Sequence, residues 1–132
     1  MSSVDLKNNI KQAVAFNIQT ISSDTTTAGT EIDTTGFESA TIIFQAGVVT
    51  TGDATLLVQE SDTSGGTFTD VADDDLIGLE TSTKLDTSNS VTRIGVLNSK
   101  PFIKVSVVSA NSANLIVSAI AVLGSPLSSP VA

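Results

Sequence analysis

The densest group of chemistry-bearing residues in this chain is Asp73-Asp74-Asp75, with Asp70 three positions before it. Asp oxygens are natural calcium ligands, but a calcium loop sets them at alternate positions around a Gly so that the side chains converge. Consecutive Asp residues in an extended segment point to opposite sides, and that Gly is missing, so the run reads as a solvated loop. Asp70 and Asp73 also suit the first turn of a short helix, where the positive end of the peptide dipoles favours carboxylates. Glu60, Asp62, Glu80 and Asp86 offer carboxylates for glycoside hydrolysis. That reaction needs a positioned acid/base pair in a cleft, usually walled by aromatic rings. The chain has five Phe and no Trp or Tyr, which argues against such a cleft. Eighteen Ser residues are present, but there is no His to activate one and no G-x-S-x-G. Gly65-Gly66 lacks the following Lys-Ser/Thr of a phosphate cradle and reads as a hairpin turn. Without Cys, neither disulfides nor thiolate metal sites can form. The expectation is a chain with no catalytic residue, no metal site and no cofactor.

Charge narrows the partners. Fourteen acids against six bases give a formal net charge of −8. Nucleic acids and anionic lipids are bound through Lys and Arg, so neither is an expected partner. Acidity also keeps a β protein soluble. Arg93, Lys100 and Lys104 make a small basic spot for an acidic partner if their strands pair, and are scattered solvated charges otherwise. No secretory h-region follows the N-terminus, where Lys7 and Lys11 flank short apolar pieces. The longest apolar stretch, residues 115–123, is about half of what a spanning helix needs. A soluble protein made without a Sec signal is expected.

The elements that must position these residues read as strands. Ser and Thr supply 36 of 132 residues, and the apolar content is mainly Val, Ile, Leu and Ala, which favours sheet over helix. Residues 1–12 read as an N-terminal arm and residues 125–132, with Pro126 and Pro130, as an extended C-terminal tail outside the sheet. Between them, residues 13–124 form one domain with no internal repeat. Residues 13–21 put Val14, Phe16, Ile18 and Thr20 on one strand face; 22–30 is a polar loop; 31–34 is a brief strand. Ala40, Ile42, Phe44 and Ala46 alternate with Thr41, Ile43 and Gln45, the period-2 signature of a half-buried strand. After a turn at 50–53, residues 54–60 return with Leu56 and Val58 on one face, completing an expected two-strand hairpin. A turn at 62–66 leads to a short strand at 67–71, and 71–78 is either one helical turn or an irregular loop. Strands at 91–97 and 102–109 flank 98–101, and 111–114 turns the chain into 115–123. That last strand is apolar on both faces, so it is either central or buried under a partner. About eight short strands imply an all-β fold, a jelly-roll-like β-sandwich.

Several ordered stretches resemble small phage head proteins. Asp33-Thr34-Thr35-Gly36-Phe37-Glu38-Ser39-Ala40 precedes an alternating strand. Leu57-Val58-Gln59-Glu60-Ser61-Asp62 leads through a Gly-rich turn to Phe68-Thr69-Asp70-Val71. Asp75-Leu76-Ile77-Gly78 and the opening Asp5-Leu6-Lys7-Asn8-Asn9-Ile10 fit the same order. From the arm to about Gly78 the chain is similar to head decoration (cement, or auxiliary capsid) proteins of tailed bacteriophages. The resemblance implies a structural virion protein that binds the outside of an assembled shell of major capsid protein and stabilises it, with no catalytic residues to carry over. Made in the host cytoplasm, such a protein would end on the capsid exterior. Other virion modules (tail, baseplate or fibre) share the composition, and a carbohydrate-binding sandwich is disfavoured by the lack of Trp and Tyr. A homo-oligomer, a trimer above all, is expected from the two-faced apolar strand at 115–123 and from the three-fold positions a capsid lattice offers.

Overall fold

A computed structural model describes residues 9–78, 80–97 and 100–126. Eight strands make one continuous antiparallel sheet: β1 (Lys11–Ile21), β2 (Thr26–Ala28), β3 (Ile32–Asp33), β4 (Phe37–Ser61), β5 (Thr69–Asp70), β6 (Leu76–Ile77), β7 (Val91–Leu97) and β8 (Phe102–Pro126). The all-β fold expected from the sequence is what forms.

Its backbone is a two-strand ribbon. β4 and β8, each 25 residues long, pair along almost their whole length, from Phe37↔Pro126 to Ser61↔Phe102. The expected hairpin between 39–46 and 54–60 is therefore absent, and so is the expected turn at 111–114. Both pairs of segments are halves of a single strand. The residues read as turns instead bend the ribbon, with register shifts between Ala46 and Asp53. Gly52 has φ +77, and opposite it Asn111 and Ser112 sit at φ 63 and 61. Local hydrogen bonds hold this bend. The Asp24 carboxylate accepts from the Ser112 and Ala113 N–H groups at 3.1 and 2.8 Å. Thr51 Oγ1 donates to the Ser112 carbonyl at 2.6 Å, and Asn111 Nδ2 donates to Asp53 Oδ2 at 2.6 Å.

Bending the ribbon makes two layers. In the first, the order is β1, then β8 beyond residue 115, β4 up to residue 46, β7 and β6. In the second, β2 and β3 pair with residues 102–108 of β8, which pair with 55–61 of β4, and β4 with β5. The alternation explains why the layers close on each other. Ala40, Ile42, Phe44 and Ala46 share a face with Ala54, Leu56 and Val58 further along β4. Val105, Val107, Leu115, Val117, Ala119 and Ala121 do the same along β8, and all belong to one buried cluster. Among the described residues no α-helix covers that face; the folding of the sheet onto itself buries it, with Val71 and Leu85 added from the connecting segments. One backbone hydrogen bond ties the layers at one margin: Thr30 N–H donates to the Ala15 carbonyl of β1 at 2.9 Å, next to Gly29, whose N–H continues the β2–β8 ladder to the Val105 carbonyl at 2.8 Å.

Other expectations shift in detail. The loop at 22–30 contains β2. Residues 71–78 form a 3-10 turn, Asp73–Asp75, followed by β6. The sheet reaches Lys11 at one end and Pro126 at the other, so it takes in the last two residues assigned to the arm and the first two assigned to the tail. Of the rest of those segments, residues 1–8 and 127–132 lie outside the described residues, as do the turn residues Asn98 and Ser99.

Candidate interaction surface

The acidic residues singled out in the sequence do not converge. Among the described residues no three His, Cys, Asp or Glu are grouped to hold a metal ion. Asp70 Oδ1 accepts from the Gln59 side-chain amide at 3.1 Å across the β4–β5 pair, so its oxygen is engaged away from the 3-10 turn it was expected to cap. Glu80 Oε2 accepts the Val58 N–H at 2.5 Å, giving that β4 donor its acceptor. Glu60 is buried on β4, Asp62 lies 4.0 Å from Lys100 Nζ, and Asp86 accepts from Thr87 Oγ1.

The turn at Gly65-Gly66 does hold an anion, but an internal one. Glu31 accepts from Ser64 Oγ at 2.6 Å and from the Gly65 N–H at 2.7 Å. These bonds hold the Glu31 carboxyl below its ordinary value, with the Ser64 hydroxyl the larger influence. Asp33 is lowered likewise by Thr35, whose N–H it accepts at 2.9 Å in the turn that opens β4. The three basic residues do not meet. Arg93 is on β7, whose partners are β4 and β6, whereas Lys104 is on β8, with its Nζ 4.5 Å from the centre of the Phe68 ring.

What the structure does assemble is an apolar surface on the outside of the first layer. Register brings Val14 of β1, Ile120 of β8, Ile43 of β4 and Arg93 of β7 into one row across four strands. The neighbouring row is Gln12, Val122, Thr41, Gly95 and Ile77. Beyond these rows, Leu97 lies opposite Ser39, and Val91 opposite Gln45. Seven of the nine exposed large apolar side chains among the described residues lie on this face; Val48 and Val108 are the other two. Among the described residues Arg93 is the one charge in these rows, and no Asp or Glu occupies them. In a chain of net charge −8, that segregation leaves a neutral face on an acidic body.

β1 gives the face its relief. Its register with β8 slips by one residue between Val14 and Phe16 and again between Phe16 and Gln19, two bulges that each add a residue to β1. The first bulge turns both Ala15 and Phe16 into the core and leaves Val14 half exposed; the second leaves Ile18 75% exposed. The expected single face of Val14, Phe16, Ile18 and Thr20 is thus divided, because two inserted residues reset the alternation. A groove of about 390 Å³ runs beside the bulges, walled by Val14, Ile18 and Ile120 with Asn17 and Ser118 at its margins. Of the strand at 115–123, Leu115, Val117, Ala119, Ala121 and Leu123 are buried in the core, while Ile120 on its other face is 44% exposed. The sequence marked that second face but not the residues of β1, β4, β6 and β7 that extend it.

No family model matches the chain, and no curated protein matches it. Solved structures share the fold. The SPBc2 prophage-derived protein YomS aligns over 89% of this chain and 94% of its own, with a TM-score of 0.50 at 12% identity. A structure of Bacillus endospore appendages, described as a novel family of disulfide-linked pili, aligns over 95% of each chain, with a TM-score of 0.51 at 14% identity. A structure of infectious bursal disease virus, Gx strain, aligns over 86% of this chain and 31% of that one, with a TM-score of 0.41 at 15% identity. At such identities the first two establish a common fold: this chain has the two-layer β architecture found in a prophage-derived protein and in a pilus structure.

Proposed function

We propose that this chain is a non-catalytic structural subunit of a phage particle, a head decoration protein that binds the exterior of the assembled major capsid protein shell and stabilises it. The observation that carries the reading is the ordered set of decoration-protein-like stretches between Asp5 and Gly78. Where described, they fall on turn and strand geometry. Asp33 and Gly36 shape the turn into β4, and residues 57–62 end β4 before the Gly65 turn. Residues spent on shape rather than on a chemical centre suit a protein that works through its surface. The fold shared with a prophage-derived protein supports the same reading. The likeness to disulfide-linked pili does not extend to their linkage, since a chain without Cys forms no disulfide.

In this reading the protein is made in the host cytoplasm, joins the capsid exterior as a homo-oligomer, with three copies matching local three-fold positions, and needs no cofactor. The test adds purified protein to shells assembled without it. Co-sedimentation and greater resistance of the shells to heat or osmotic shock are expected. Shells that neither bind the protein nor gain resistance reject the proposal.

A further inference from the structure

We infer that the outer face of the first layer, centred on the row Val14–Ile120–Ile43, is buried against other copies of this chain. The inference rests on the homo-oligomer part of the reading above and not on shell binding.

Three observations select this occupant. First, among the described residues the rows of this face carry no charge apart from Arg93 and no carboxylate. Two copies of net charge −8 repel each other, and this is the surface over which they can approach without bringing carboxylates together. Second, its chemistry is that of a self-association surface. Interfaces between copies of one chain are more apolar than exchangeable ones and resemble a domain core cut in half, whereas exchangeable contacts are about as polar as ordinary surface. Here Val, Ile, Thr and Ser stand in register with almost no charge to match to a foreign partner. Third, an apolar face of this extent is an aggregation liability from the moment the chain folds, and a second copy is the one partner always present then.

The dimensions are sufficient. Roughly seven residues along the strands at about 3.3 Å each and five strands across at about 4.8 Å each give roughly 23 Å by 24 Å. Two such faces bury on the order of 1,000 Å², which just clears the size of a specific interface. The bulges of β1 raise Val14 and Ile18 beside Ile120 at one margin, giving the contact a ridge and groove rather than a flat plane. Association is therefore expected to depend on concentration.

The experiment is sedimentation velocity and light scattering on the full chain from micromolar to about 1 mM, with three variants checked for folding by circular dichroism. Ile120→Asp sits at the centre of the face. Ile18→Asp lies at a position already 75% exposed, where the monomer tolerates a charge. Val108→Asp, exposed on the second layer, is the control. The wild type is expected above its 13.5 kDa monomer mass. Ile120→Asp and Ile18→Asp are each expected to weaken self-association roughly 100-fold or more, as burial of an unpaired charge requires, with Val108→Asp unchanged. A wild-type monomer throughout the range overturns both the oligomer and this surface. Variants that assemble like wild type, or an equal loss from Val108→Asp, overturn the surface alone. So does a monomer whose attachment to shells is lost in Ile120→Asp, since the face then belongs to the shell.

Discussion

Replacing Gly52 by Ala tests whether the bend of the β4–β8 ribbon is fixed by backbone geometry. A Cβ at Gly52 would lie 2.6 Å from the Ala110 carbonyl oxygen, 2.6 Å from Ala113 Cα and 2.9 Å from Ala113 N, where ordinary contact begins at 3.4 Å. All three are backbone atoms of the paired strand, so no side chain can swing aside. The φ of +77 adds the cost of a left-handed conformation, roughly 1–2 kcal/mol for a residue with a Cβ. Overlap in a packed region typically costs about 1–3 kcal/mol more. The sum, about 2–5 kcal/mol, is a large part of the roughly 5–15 kcal/mol that holds a domain together. With a urea slope of about 1.5 kcal/mol per M, the unfolding midpoint should fall by roughly 1–3 M. Gly36→Ala separates the two contributions, because Gly36 has φ +92 but a Cβ added there would meet nothing within 4 Å. It should lose only the conformational part, under about 1.5 M. Urea denaturation followed by circular dichroism measures both. A Gly52→Ala midpoint no lower than that of Gly36→Ala would refute the argument that the two strands meet too closely at the bend to admit a side chain.

Two further outcomes follow from the polar contacts. Thr83 is fully buried; its Oγ1 accepts the Leu56 N–H at 3.0 Å and donates to the Glu80 carbonyl at 2.5 Å. Thr83→Val keeps the shape but leaves that N–H without an acceptor, so a loss of about 1–3 kcal/mol is expected, with Thr83→Ser closer to wild type; equal melting temperatures for Val and wild type would contradict it. Glu31 and Asp33 have carboxyls held below their ordinary values of 4.5 and 3.8. Their contribution to stability is complete above those values and is lost as pH falls through the lowered folded-state values. Melting temperature should therefore decline below about pH 4.5, and Glu31→Gln should flatten the decline; parallel curves for the two proteins between about pH 6 and pH 3 would show that the Ser64–Gly65 contact contributes nothing.

Alternation was the most legible signal. Residues 91–97 form the strand that Ile94 and Val96 announce, and Ala40, Ile42 and Phe44 face the core as their spacing requires. The lack of His and Cys was equally readable. The connection between strands was not. Thr51-Gly52-Asp53 and Asn111-Ser112-Ala113 have turn chemistry because Gly and Asn accept positive φ, and a bulged bend asks for the same conformations as a reversal. Which of the two forms depends on whether residues 37–46 and 54–61 find each other or a common partner, far along the chain on β8. The outer face was half legible for the same reason. Ile120 stands on the second side of an evidently two-faced strand, but Val14 and Ile18 become its neighbours only after two bulges reset β1.

The sequence by itself determined the class of secondary structure, the core face of most strands and the acidic, Cys-free, His-free character of the molecule. These follow from side-chain type and a period of two, which are local properties. The tertiary structure decided that two pairs of short segments are two long strands, that the ribbon bends at Gly52 where Asp24 holds Ser112 and Ala113, and that Val14, Ile18, Ile43, Ile77 and Ile120 share a surface whose rows hold no described carboxylate. Strand pairing joins residues far apart in the chain through backbone hydrogen bonds that every residue but Pro can make, so the sequence carries little record of its partners.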